Sequence, residues 1–181
     1  MTRCVAIGDF RTTTIFRGSQ MKIRVWSGAL LFTFAAYSLT GAAELLKTGK
    51  FSAHFGWVFK GDVQELGAQR TVYVGMVDGV LFNDAGKGFM HKARVNCALM
   101  NDVNAGRASA QGTCEIIDAD ADKAFLEWKC TGTMPACPGD QRFVGGTGKY
   151  AGISGTSKFQ GNFIGNTGAG WSDWSWEYSL P

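Results

Sequence analysis

The stretch FVGGTGKYAGISGTSKF, residues 143–159, sets Gly145, Gly146 and Gly148 beside Lys149 and follows them with Gly152 and Gly155. Glycines that free backbone N–H groups, next to a lysine, are the materials of a phosphate-binding loop. The spacing is not that of one. G-x-x-x-x-G-K-[ST] requires glycine where Phe143 stands and Ser or Thr where Tyr150 stands. The dinucleotide fingerprint G-x-G-x-x-G fails too, because Gly146-Thr147-Gly148 runs on into Lys149-Tyr150-Ala151. Both motifs need a helix directly after the glycines, whose N-terminus holds the phosphate. YAGISGTSKF has β-type alternation and two more glycines. The stretch therefore predicts a glycine turn (Gly145, Gly146, Gly148, Gly152, Gly155) between strands.

Other residue types could do chemistry. Asp118, Asp120 and Asp122 in DADADK open like a calcium loop, but the sixth and twelfth positions, which need Gly and Glu, are Lys123 and Lys129. They are weak metal candidates, and an acidic turn is the alternative. His91 falls in GFMHKARVNC on the same alternating face as Phe89, Ala93, Val95 and Cys97, so it is expected to point inward as a candidate general acid or base. The alternative is a hydrogen-bonded structural histidine. Glu127 is a second weak catalytic candidate. His54, on the polar face of its strand, is expected to be solvated. With only two histidines, and cysteines expected to be oxidised, no Ser-His-Asp or Cys-His arrangement can be drawn and no cofactor is expected.

The elements that must position these residues read as strands. In KFSAHFGWVFKG, Phe51, Ala53, Phe55, Trp57 and Phe59 share one face, and period two over nine residues marks a half-buried strand. RTVYVGMVDGVLFND is a second strand region, with Gly75 and Gly79 as expected bulge or bend points. NDAGKG is a turn. GFMHKARVNCALM alternates again, NDVNAGR reads as a polar loop, and ASAQGTCEII places Ala110, Gly112, Cys114 and Ile116 on one face. AFLEWKC, the strand ending at Val144, Lys158–Phe163 and WSDWSWEYS complete seven or eight strands. In the last, Trp174, Trp176 and Tyr178 share a face. The fold class expected is all-β, a single antiparallel β-barrel of about eight strands, because closure removes exposed edges. A two-sheet β-sandwich is the alternative. A barrel of this kind offers Phe55, Trp57, Phe59, Phe89, His91, Trp128, Trp174 and Trp176 as candidate ligand-binding residues, or as core.

The cysteines and the N-terminal third bound the compartment. MKIRVWSGALLFTFAAYSLTGAAE, from Met21, has a basic start, a short apolar run and small residues at Gly41-Ala42-Ala43, the grammar of a secretory signal peptide over 21–43. The run is too short for a stable membrane span, which needs about 20 apolar residues. Residues 1–20 precede that basic start and read as an over-called upstream extension, leaving 44–181 as one domain. Residues 1–43 carry five basic side chains and one acid, so 13 basic and 14 acidic groups remain of the chain's 18 and 15. That balance gives no basic surplus for nucleic acid or acidic membranes. Four cysteines remain as well: Cys97, Cys114, Cys130 and Cys137. An even count in an exported chain predicts two disulfides. A hairpin centred near Asn104–Gly106 sets Cys97 opposite Cys114, and CTGTMPAC closes on itself through Cys130 and Cys137. No pair has the C-x2-4-C spacing of a zinc site.

GGTGKYAGISG resembles the glycine-rich segment of the allene oxide cyclase-like and dirigent-like barrels. Together with HKARVNC and GTCEIIDADADKAFLEWKC, in that order, it is still more similar to small exported bacterial proteins carrying a GGTGKY-x-GI-x-G phrase, over residues 50–165. The resemblance implies an antiparallel barrel of about eight strands around an apolar cavity suited to a small ligand, and leaves room for a homo-oligomer, since the plant families are often trimers. No active-site motif carries over. The function expected is an exported (periplasmic or secreted), non-catalytic barrel that binds a small apolar ligand or an envelope partner. The alternative is a cyclase or isomerase acting on a lipophilic substrate, assisted by His91 or Glu127.

Overall fold

The computed structural model describes residues 45–181; the expectations placed on residues 1–43 lie outside them. Eight antiparallel strands follow one another along the chain: β1 (Thr48–Glu65), β2 (Arg70–Asn83), β3 (Ala93–Asn104), β4 (Arg107–Ile117), β5 (Lys123–Thr133), β6 (Ala136–Gly146), β7 (Ser154–Phe163) and β8 (Ala169–Ser179). Each pairs with its sequence neighbours, and β8 returns to β1, so the sheet is a closed barrel. This is the predicted all-β barrel of eight strands. The helical content of the described residues is one three-residue 3-10 turn, Gly148–Tyr150. None of their helices is long and apolar enough to cross a membrane.

Period-two alternation separates the two walls. Ala53, Phe55, Val77, Leu81, Val95, Cys97, Ile116, Leu126, Trp174 and Trp176 point inward and are buried. The outer wall carries cross-strand ion pairs such as Lys50–Glu177, Lys158–Asp140 and Arg142–Glu127. At these exposures each pair adds only about 0–1 kcal/mol. Their larger effect is on register, because a one-residue slip moves every charge inside.

Gly75 and Gly79 are not the expected bulges. Both sit in regular register, opposite Gly61 and Trp57. They allow close approach instead: a Cβ on Gly75 would lie 2.3 Å from the Lys60 carbonyl oxygen. The register shift of the sheet falls elsewhere, between Phe125 and Leu126, where Phe125 pairs with Gly145 and Leu126 with Phe143.

Aromatic packing fills one end of the barrel. Phe143 stacks on Trp176 with centroids 3.9 Å apart, and Phe89 stacks on Tyr178 at 4.1 Å. Tyr150, Met90 and Ile153 close over them. At the other end the inward side chains Trp57, Phe59, Tyr73, Leu99, Trp128, Phe159 and Phe163 are only half-buried, so solvent reaches the interior there.

Both predicted disulfides are present. Cys97 and Cys114 are directly opposed on β3 and β4, with sulfurs 1.98 Å apart. Cys130 and Cys137 join β5 to β6 at 2.07 Å. Cys137 is a strand residue rather than part of a loop, because the turn between these strands spans only Met134 and Pro135. The Cys97–Cys114 bond closes a loop of 17 residues in sequence separation. Replacing both cysteines by serine should therefore lower unfolding free energy by about 3 kcal/mol in chemical denaturation; an unchanged midpoint contradicts this account.

Candidate functional site

The less filled half of the barrel holds a cavity of about 410 Å³. Phe55, Trp57, Phe59, Trp128, Phe159 and Trp174 supply its aromatic wall. Strand alternation points each of them inward, and their rings brace one another edge-on: Trp57 meets Phe163 at 5.4 Å and Trp128 meets Phe159 at 5.9 Å. Both disulfides also line it. The β7–β8 turn folds over the rim and is held to β1 by the Phe59 N–H, which donates to the Gly168 carbonyl at 2.7 Å. Gly161 leaves part of the volume free. A Cβ built there meets nothing nearer than the Cys137 carbonyl oxygen at 3.4 Å.

The polar groups at this wall are few and neutral. Trp57 Nε1 donates to Ser172 Oγ at 3.2 Å, and Gln141 Nε2 donates to Ser157 Oγ at 3.2 Å. The lining residues include no Asp, Glu, Lys, Arg or His.

The structure brings together five of the eight predicted ligand-binding residues: Phe55, Trp57, Phe59, Trp128 and Trp174. Trp176 and Phe89 belong to the packed end, where Trp176 is 1% exposed. His91 does not point inward. Met90 and Lys92 on either side of it have φ of 54° and 61°, so the backbone reverses, and β3 begins only at Ala93. The imidazole sits beside Phe82 on the outer wall, with centroids 6.0 Å apart. Glu127 is also outside, paired with Arg142 at 2.6 Å. His54 is exposed on the outer wall between Asp173 (2.8 Å) and Asp84 (3.2 Å).

Sequence reasoning missed Asn101, Leu99, Tyr73 and Phe159 as lining residues. Asn101 was hidden because NDVNAGR reads as a polar loop, whereas β3 runs on through it to Asn104. The alternation Val95, Cys97, Leu99, Asn101 was the signal that could have found it.

The glycine-rich stretch and the acidic turn prove to be partners. Gly148 has φ +52°, and a Cβ there would lie 1.7 Å from Asp122 Oδ1, so only glycine fits. Lys149 Nζ bonds Asp118 Oδ2 at 2.5 Å and Asp120 Oδ2 at 2.6 Å. Its backbone N–H donates to Asp122 Oδ2 at 3.2 Å, and the Tyr150 hydroxyl donates to Asp118 Oδ2 at 2.9 Å. The lysine that suggested a phosphate loop is thus neutralised by the aspartates that suggested calcium. Among the described residues, no group of three or more His, Cys, Asp or Glu side chains converges as a metal site. The glycines themselves are not one turn. Gly145 and Gly146 end β6, Gly148 and Gly152 bracket the turn, and Gly155 is in β7.

Burial alone would raise the Asp118 carboxyl, but hydrogen bonds from Lys149 and Tyr150 outweigh it and hold it below the usual range. Burial likewise opposes the Lys149 ammonium, and the bonds to Asp118 and Asp120 raise it on balance. Burial, then Asp118, pushes the Tyr150 hydroxyl far up. A lowered acid stabilises the fold above its unfolded pKa, and raised lysine and tyrosine groups stabilise it below theirs. The knot's contribution should therefore hold from about pH 4 to about pH 10 and fade outside that window. Lys149→Met should cost about 1–3 kcal/mol at neutral pH and flatten the acid limb of a stability–pH profile; a variant with the wild-type profile contradicts the assignment.

No protein-family model matches the chain, and no curated protein matches it. Among solved structures, the chain is similar to the pterocarpan synthase dirigent protein GePTS1, with a TM-score of 0.46 and 12% sequence identity, over 74% of this chain and 86% of that one.

Proposed function

We propose that this chain is an exported binding protein that holds a small apolar molecule inside its barrel. The observation that carries the reading is a solvent-reached, aromatic-walled cavity of about 410 Å³ with no ionised side chain in its lining. Pockets for small molecules commonly measure about 300–1,000 Å³, with mostly apolar walls and a few placed polar groups. Acid–base chemistry on a bound substrate needs a titrating group within about 3 Å or one water, and His91 and Glu127 are both on the outer wall. That geometry supports binding over a cyclase or isomerase role. Two disulfides support an oxidising compartment, periplasmic or extracellular.

Gly161→Phe is the test. Its side chain has room to enter the cavity, where it occupies the ligand's volume, and the strand backbone there needs no strained conformation. Titrated with naphthalene as an uncharged aromatic probe, the wild-type protein should bind and be stabilised by about 2.7 kcal/mol at a hundredfold excess over Kd. The variant should fold and lose at least tenfold in affinity. Equal binding by both proteins places the probe outside the barrel and overturns the proposal.

A further inference from the structure

The outer wall is not uniform around the barrel. On β4 and β5 its positions carry Gln111, Thr113, Glu115, Glu127 and Lys129. On β1 to β3 the same alternation turns Val58, Val74, Val80, Phe82 and Met100 outward, each between 38% and 51% exposed. The register sets Val74 directly opposite Met100, and Met76 directly opposite Ala98, so apolar side chains adjoin there rather than scatter. Single exposed apolar residues are ordinary, but an adjoining group of them marks an interaction site.

Charge narrows what can cover this face. Over the length where the three strands pair, the outward Lys and Arg side chains are Lys60, Arg70 and Arg94, and the outward carboxylates are Asp62, Asp78 and Asp102. They cancel, so the face has no net pull on nucleic acid or on acidic headgroups. Arg70 is paired with Asp102 at 2.6 Å and Arg94 with Asp78 at 3.0 Å. Lys60 and Asp62, successive outward positions of β1, form no ion pair among the described residues. A lipid interior would strip water from both without a partner. A second copy of the same face supplies each with its opposite charge.

We infer that two copies of this chain associate through the outer wall of β1–β3, about a two-fold axis that crosses the strands at the paired row Gly61, Gly75 and Leu99. Such an axis lays each strand over its own counterpart, so the contact is self-complementary. Lys60 then lies over Asp62 of the second copy, and Asp62 over its Lys60. Met76 lies over Val74 and Met100 over Ala98, so the larger apolar side chain of each pair meets the smaller. With strands about 4.8 Å apart and a rise of about 3.3 Å per residue, the face from Val72 to Phe82 is about 15 Å by 35 Å, or about 500 Å² per copy and about 1,000 Å² for the pair, where specific interfaces begin. An interface of that size holds a dimer with a dissociation constant of about 1–100 µM.

Sedimentation equilibrium at neutral pH tests this on wild type, Lys60→Glu, Asp62→Lys, the double variant Lys60→Glu/Asp62→Lys, and Met100→Lys. Wild type should approach twice the chain mass at high micromolar concentration. Each single charge reversal acts twice across the axis and should weaken association by about tenfold or more. The double variant restores both contacts and should return to within about threefold of wild type. Met100→Lys places a charge among the apolar contacts and should stay monomeric. Lys60 and Asp62 are exposed in a single copy, so the charge series keeps the test informative even where Met100→Lys fails to fold. A wild type that stays monomeric, including one that instead co-sediments with phosphatidylglycerol vesicles, overturns the inference. So does a closed three-copy mass, or a dimer that both single charge reversals leave intact.

Discussion

Everything in this molecule depends on the pairing of its first strand with its last. Residues 48–58 of β1 run antiparallel to residues 169–179 of β8 in unbroken register, and this one seam turns a meander into a closed surface. Without it, β1 and β8 would be edges with unpaired backbone groups, open to association with other chains. With it, the period-two pattern acquires an inside and an outside. Inward aromatic residues of six strands, β1, β2 and β5 to β8, converge, and the ion pairs are sorted to the outer wall. Because closure joins residues more than a hundred positions apart, it is the contact of highest loop entropy cost in the fold. The disulfides cross-link only neighbouring strands, β3 to β4 and β5 to β6, and support the wall rather than the seam.

The closed wall is not filled uniformly. Large rings at Phe51, Phe89, Phe143, Trp176 and Tyr178 crowd one end, while glycine at positions 112 and 161 and alanine at 110 thin the wall of the other. The choice between a packed barrel and a hollow one is thus made along the axis, by side-chain volume at successive inward positions. The aspartate–lysine–tyrosine knot lies at the packed end, joining the β4–β5 loop to the turn after β6. It fastens these two connections to each other, and residues of both the glycine-lysine stretch and the acidic stretch take part in it.

Much of this was legible in the sequence because strand physics is local. Alternation over Phe51–Phe59 and Trp174–Tyr178, and the spacing of Cys97 and Cys114 about one turn, carry the strand faces and the disulfide register on their face. What escaped was set by backbone reversals and by distant contacts. His91 looked inward only on the assumption that alternation continues through Phe89–Lys92, and two residues with positive φ break it. The meaning of Gly148 and Lys149 lay in Asp118–Asp122, about thirty residues away in sequence, which no local motif records. Asn101 escapes because its polar neighbours have the composition of a loop while β3 runs on through them to Asn104, and a polar residue at an inward strand position is the more informative observation.

The knot also has a consequence for motion. It ties two of the connections at the packed end to each other by charge-assisted bonds, while the β7–β8 turn at the other end is held to β1 by the main-chain bond between Phe59 and Gly168. Local opening is therefore cheapest at the rim, where the inward side chains are half-exposed. The β7–β8 turn, which lines the mouth of the described cavity, is therefore where the wall opens most readily.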